Sequence, residues 1–250
     1  MKLFGKNVPG FLSLAVWFIV WELAGRAQWS SIVPPFTSVI EAAVTILPTE
    51  KFRAAVIISL RSFGIGMALA IAVGIPLGIV MARVRGVGRI LGMWVNIFVS
   101  APISALVPLL MAVVGIGETT VVVTVFLFAV FVIVLDTQVG VSHADRSLVE
   151  MARSFGARPS QLYGKVLLLS ALPEILAGLR LGAIRGVKGV VIGQLLVAII
   201  GVGELFELYS NHFLMEEFWA LVIIVFLFAF AVSEAIALLE RRVEYYASNR

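Results

Sequence analysis

At 250 residues, 61% of them hydrophobic and with a mean hydropathy of +1.07, the chain is too apolar for an ordinary soluble domain, in which apolar residues make up about half. It reads as an integral membrane protein. Nineteen Lys and Arg against fifteen Asp and Glu leave a net charge of +4, but the cations are spread between apolar runs rather than gathered in one patch, which argues for a topology signal and against a nucleic-acid partner; the lack of cysteine excludes a disulfide framework, a thiolate metal site and a thiol nucleophile.

Lys2 and Lys6 precede an apolar run from Val8 to Ala24, which is either a signal peptide or a first span. Its length, with Trp17, Trp21 and Trp29, favours a span ending at an interface. The segment from Thr37 to Arg53 carries Glu41, Pro48, Glu50 and Lys51; it is too polar to span and predicts a short outer-face helix and a turn. A second span is predicted from Phe63 to Ala82, with Gly74 and Gly78 around Pro76 letting another helix approach closely, most simply within the chain. Arg83, Arg85 and Arg89 follow. The third span, from Ile90 to Val114, contains Pro102 and Pro108 and must be kinked or locally unwound, which lipid does not tolerate unless protein or a water-filled cavity satisfies the freed carbonyls. Asn96, Ser100 and Ser104 on it are therefore candidate pathway residues. After the acidic turn Gly115-Ile-Gly-Glu118, a fourth span runs from Thr119 to Leu135, a fifth from Pro173 to Ile200 and a sixth from Phe218 to Leu239. Between the last two, Gly201 to Glu217 reads as a loop with Glu204, Glu207, Glu216 and Glu217.

Loop cations stay on the cytoplasmic side. A cytoplasmic amino terminus places the clusters Arg83 to Arg89, Arg146 to Lys165 and Arg241-Arg242 inside, and the Glu118 turn and the Glu204 to Glu217 loop outside. Six spans with both termini cytoplasmic result. Asp136, Glu174, Arg180, Arg185, Lys188 and Glu234 are assigned to span ends on the cytoplasmic side, where ion pairing or snorkelling serves them. Gln194 lies mid-span and either packs through one hydrogen bond or lines the pathway; it joins Asn96, Ser100 and Ser104 as a candidate. No Gly-x-x-x-x-Gly-Lys-Ser/Thr phosphate cradle is present. His143 and His212 fall on opposite sides, and no span offers a Ser, His and carboxylate together. The energy for any transport must come from a partner.

The stretch from Asp145 to Pro173 is where this apolar chain turns charged. Ser147-Leu-Val-Glu150 fits a capping box, with Asp145 as a competing cap. Leu148, Met151, Ala152 and Phe155 then form one stripe at i, i+3, i+4 and i+7, while Arg146, Glu150 and Arg153 face elsewhere. Gly156 terminates the helix, and Pro159 opens a second one through Leu162, Val166 and Leu169. On pattern alone this is also compatible with an amphipathic helix lying in the lipid interface.

Glu150-Met-Ala152, three residues, Gly156, nine residues, Val166 resembles the EAA loop of ATP-binding-cassette (ABC) importer permeases, with Met151 in place of the second alanine and Leu169 in place of the family's proline; Pro173 follows four residues later. In sequence order, Gly74-Ile-Pro76-Leu-Gly78, Ala101-Pro-Ile-Ser-Ala-Leu-Val-Pro-Leu-Leu110, Gly115-Ile-Gly-Glu118, this loop and Leu172-Pro-Glu-Ile-Leu-Ala-Gly-Leu-Arg180 are similar to permeases of the nitrate, sulfonate and taurine branch. The resemblance implies an all-α, polytopic, type I ABC importer permease fold, one transmembrane domain over residues 1–250 with a core over about 54–240 and a coupling loop over 145–173. It implies that Ser147, Leu148, Glu150, Met151, Ala152, Phe155 and Gly156 dock on a cytoplasmic ABC ATPase dimer, which binds the ATP, so that this chain takes no cofactor and no metal. The other implied partners are an extracytoplasmic solute-binding protein and a second permease, identical or similar, in a bacterial inner membrane. Nitrate, sulfonates, taurine, thiamine-precursor-like pyrimidines and aromatic acids are the solutes of such systems. An ion-coupled carrier or channel, and a membrane scaffold without an ATPase, are the competing classes; the carrier is disfavoured because no inverted repeat and no mid-membrane charge is visible in the sequence.

Overall fold

The computed structural model describes residues 2–3, 6–7, 10–143, 146–158, 161–197 and 199–248. Among them the regular structure is helical apart from a short antiparallel ladder of Lys2–Leu3 against Lys6–Asn7. Helix α1 covers Gly10–Arg26 and α2 covers Phe36–Ile46. Helix α3 then runs unbroken for 34 residues, Glu50–Arg83, with Pro76 inside it, so the second span begins 13 residues before the expected Phe63. The polar residues Glu50, Lys51 and Arg53 belong to this helix rather than to an outer turn. Thr49 starts it: its hydroxyl accepts the Phe52 N–H at 3.3 Å, and Glu50 in the first turn faces the positive end of the helix dipole.

Helix α4, Arg85–Ser100, and helix α5, Val107–Val114, are joined through a 3-10 turn at Ile103–Leu106 and bent by 92°. The break is at Pro102 alone. Ala101 before it is extended (φ −71°, ψ 145°), as the residue preceding a proline is pushed to be, whereas Pro108 sits in the first turn of α5, where no N–H is needed. Helix α6 is Glu118–Ser142 and α7 is Arg146–Ser154. A π turn at Leu162–Leu167 and a short helical piece at Leu168–Ser170 lead into α8, Leu172–Val197. Helix α9 is Gly201–Asn211, bent by 54° from α8, and α10 is Met215–Ser248.

Helices α3, α6 and α10 are each long and apolar enough to cross a membrane, and the bent pairs α4–α5 and α8–α9 bring the number to five if each is one span. The expected sixth rests on α1, whose 17 residues stand at the short end of what a bilayer requires. Charges mark the slab. Arg61 and Arg83 on α3 are 22 residues apart and Glu118 and Asp136 on α6 are 18 apart, which at about 1.5 Å per residue spans roughly 33 and 27 Å, close to a hydrocarbon core of about 30 Å.

The inner core is an interlock of α3, α6 and α8 built on missing side chains. Ile133 of α6, with no exposed surface, lies in a slot between two glycines of different helices: a Cβ on Gly74 would stand 2.8 Å from its Cγ2, and a Cβ on Gly182 would stand 2.8 Å from its Cγ1. Gly78 meets Thr137 and Gly178 meets Asp136 in the same manner one turn on. Thus the Gly74-x-x-x-Gly78 stretch packs within the chain, as the simpler reading expects.

A second core closes the end of the bundle that carries α9. The expected loop from Gly201 is α9, whose Val202, Leu205, Phe206 and Tyr209 are buried against Phe52 and Ala55 of α3, Val39 of α2 and Leu221 of α10. Apolar positions at i, i+3, i+4 and i+7 make a helix face, and burying it there outweighs the two glutamates on the opposite side. Aromatic residues fasten the same end: Trp21 Nε1 donates to the Pro34 carbonyl at 3.0 Å, Trp219 Nε1 donates to the Ile32 carbonyl at 2.8 Å, and the two rings meet edge-on at 5.2 Å. This is the placement that interfacial tryptophans favour.

Candidate functional site

The charged stretch folds as a short helix with a defined stop. Helix α7 begins at Arg146, one residue ahead of Ser147, which sets Ser147 in the first turn rather than at the cap; Asp145, the competing cap, and Pro159 lie outside the described residues. At the other end the Gly156 N–H donates to the Arg153 carbonyl at 2.9 Å and the Ala157 N–H to the Ala152 carbonyl at 3.0 Å. With Gly156 at φ +76°, this is the paired closure that glycine terminators make. The second helix of the loop is a π turn at Leu162–Leu167; its expected opening at Pro159 lies outside the described residues.

The apolar stripe of α7 faces out. Leu148, Met151 and Phe155 are exposed, Phe155 by 85%, and Ala152 is half-buried. Ser147, Glu150 and Gly156 are exposed as well. In a chain that buries Ile133 and Leu221 completely, a phenylalanine left almost bare beside two other apolar residues forms a surface of the kind that protein partners cover.

The four pathway candidates do not form one cluster. Asn96 is exposed on α4, where its Nδ2 donates to the Gly92 carbonyl at 2.7 Å; Ser100 is exposed at the end of α4, and Ser104 is half-buried in the 3-10 turn after the break. Gln194 of α8 is fully buried. Its Oε1 accepts from the Ser59 hydroxyl at 2.9 Å and from the Val202 N–H at 3.1 Å, so it ties α3, α8 and the start of α9 together. Room for this comes from Gly201, at φ +62°, and Gly203, where a Cβ would overlap the Gln194 carbonyl. The Gln194 Nε2 has no acceptor among the described residues.

Two positions differ from the sequence reading. Arg61, which the segment boundaries passed over, pairs through Nε with Glu118 Oε1 at 2.7 Å and through Nη2 with Glu118 Oε2, joining α3 to the start of α6. The signal for it was a lone cation between Leu60 and Ser62. Lys188 was expected at the cytoplasmic end of its span. The α6–α8 register places it elsewhere: Gly189 abuts Val125 and Phe128, and Phe128 is 10 residues from Glu118 and 8 from Asp136. Lys188 is therefore level with the middle of α6 rather than with its Asp136 end. Arg180 lies near the Asp136 end of the α6–α8 contact and reaches α10, with Nε donating to the Ser233 hydroxyl at 3.3 Å and Nη1 to Glu240 Oε2 at 3.5 Å. Its partner lies on another helix, as its lack of a shared face with Glu174 requires.

Comparison with known proteins agrees with this architecture. The family described as "Binding-protein-dependent transport system inner membrane component" matches residues 74–245. A probable ABC transporter permease protein of Brucella melitensis is 32% identical over 192 residues, 77% of this chain and 78% of that protein. The taurine transport system permease protein TauC of Escherichia coli K12 is 29% identical over 237 residues, 92% of this chain and 86% of that one. Among solved structures, a chain of the methionine ABC transporter MetNI in an inward-facing conformation shares the fold with a TM-score of 0.66 at 21% identity, over 77% of this chain and 95% of that chain. The chain belongs to the family of binding-protein-dependent transport system inner membrane components, as a multi-pass permease subunit of an ABC transporter.

Proposed function

We propose that this chain forms half of the solute pathway of an ATP-driven importer, paired with a second copy or a similar permease, and that α7 is the element by which a cytoplasmic ATPase dimer drives it. The observation that carries this reading is the exposed stripe of Leu148, Met151 and Phe155 on a helix closed at Gly156. Both termini and α7 are cytoplasmic in this scheme. ATP is held by the ATPase, and its binding moves α7; the π turn at Leu162–Leu167 and α8 pass the movement to the spans. The broken α4–α5 segment, with Asn96, Ser100 and Ser104, borders the path. Relatives named for taurine and aliphatic sulfonate transport support a small solute bearing an oxyanion group.

The test is purification of the chain from its native membrane in mild detergent. An ABC ATPase subunit should accompany it, and uptake into right-side-out vesicles should require ATP. Recovery of the folded chain without an ATPase, repeated after crosslinking in the membrane, transfers the weight to a carrier or a scaffold.

The outer end is the docking side for the solute-binding protein in this proposal. Glu204, Glu207 and Glu216 are exposed there and Glu217 is half-buried, and none of the four is in an ion pair among the described residues. Replacing all four by glutamine should weaken binding-protein docking by about tenfold at low ionic strength, with the difference shrinking as salt is added. Equal docking of the two forms would remove the acidic surface from the scheme.

A further inference from the structure

Helix α8 has two unlike sides. Its glycines at 178, 182, 189 and 193 press on α6, and Arg180 leans on α10. Leu181, Lys188 and Leu195 are left exposed on the remaining side, with Arg185 half-buried beside them. Arg185 and Lys188 are three residues apart, one helical turn, and so project together.

Neither cation is in a hydrogen bond or an ion pair among the described residues. Asp136, beneath Gly178 on the α6 side, is the acidic group whose field reaches Arg185. Lys188 is level with the middle of α6 and Arg185 one turn nearer its Asp136 end. A face carrying two such charges at that depth cannot be presented to acyl chains, since intramembrane cations are costly unless they meet a partner or water. The cavity of about 270 Å³ between α3, α8 and α10 has only Ser59 as a polar lining residue, and that hydroxyl is already bonded to Gln194. It offers nothing to an ion.

We infer that the outward face of α8 at Arg185 and Lys188 is an anion-binding stretch of the solute pathway, receiving the oxyanion group of a small solute half-way across the membrane. This rests on the permease reading above and adds to it a place and a charge. Two cations separated by one turn, on a wall otherwise made of Leu181, Ile192 and Leu195, hold an oxyanion without fixing the rest of the solute. A neutral or cationic solute gains nothing from them.

The absence of cysteine makes the test direct and independent of which solute is carried. Lys188→Cys is placed in the full chain, in native membranes, and labelled with the anionic (2-sulfonatoethyl) and the cationic (2-trimethylammonioethyl) methanethiosulfonates. The anionic reagent should react about tenfold faster than the cationic one, relative to their rates with a free thiol, and Arg185→Gln in the same chain should remove the preference. Leu181→Cys, one to two turns away with both cations retained, should show the same preference and serves where Lys188→Cys does not accumulate. Phe226→Cys, on the exposed apolar side of α10, should react with neither. Silence at both α8 positions, or equal rates for the two reagents, overturns the inference; if the ATPase still copurifies, the permease reading stands without it. Charge-selective labelling of a chain that brings down no ATPase keeps the site and discards the coupling.

Discussion

Gly156→Val should leave the chain inserted in the membrane, lose its ATPase on purification and reduce ATP-driven uptake by at least about tenfold. The reason is confined to the backbone. Gly156 is at φ +76°, and a Cβ there would meet nothing within 4 Å, so a side chain has space but the wrong dihedral. For a β-branched residue the left-handed region costs roughly 1–3 kcal/mol. That matches the roughly 1–3 kcal/mol that the two terminal hydrogen bonds from Gly156 and Ala157 return, which is enough to release the end of a short exposed helix. The end of α7 then unwinds and Phe155 no longer holds its place in the stripe. Asparagine tolerates this conformation, so Gly156→Asn should keep most of the uptake. Equal loss with Val and Asn would mean that a side chain at this position blocks docking directly, and normal uptake with Val would remove α7 from the coupling scheme.

Gly74→Val should destabilise the interlock of α3, α6 and α8. Its Cβ alone would be 2.8 Å from Ile133 Cγ2 and 3.1 Å from Ile133 Cβ, and Ile133 cannot retreat because Gly182 closes the slot from α8. Overpacking of this kind costs about 1–3 kcal/mol, occasionally more, and Ile133→Ala alone leaves a cavity worth about 2–5 kcal/mol. The two changes add three carbons and remove three in the same slot. Joined in one chain they should cost clearly less than their sum, by at least about 1 kcal/mol, as contacting residues do. Thermal unfolding of the detergent-purified forms measures this, and simple additivity would show that the helices separate rather than share the slot.

Much of this arrangement is legible in the sequence, and the parts that are not have physical reasons. The stop at Gly156, the stripe through Phe155 and the break at Pro102 depend on local dihedrals and period, which a sequence states directly. The start of α3 does not: Glu50, Lys51 and Arg53 argue for a loop until α2, α9 and α10 are present to bury Phe52 and Ala55. In α9 the glutamates mask an apolar period through Val202, Leu205, Phe206 and Tyr209 that was there to be read. Lys188 is misplaced because the depth of a residue in a span is fixed by register against its neighbours, and counting from Pro173 gives no register. Gln194 is open to two readings until Ser59, 135 positions earlier, is brought beside it.

The length of α3 has a mechanical consequence. The close approaches of this helix to α6 at Gly66, Gly74 and Gly78, where a Cβ would stand 2.6, 2.8 and 2.7 Å from Val125, Ile133 and Thr137, clamp the rod over residues 66–78 and leave 16 residues toward Glu50 and 5 toward Arg83. A tilt of α3 about the middle of that stretch, at Ala72, would move the Glu50 end about twice as far as the Arg83 end, given a constant rise per residue. The longer arm carries the α9 contacts through Phe52 and Ala55, so such a tilt would be felt most at the α9 end of the bundle.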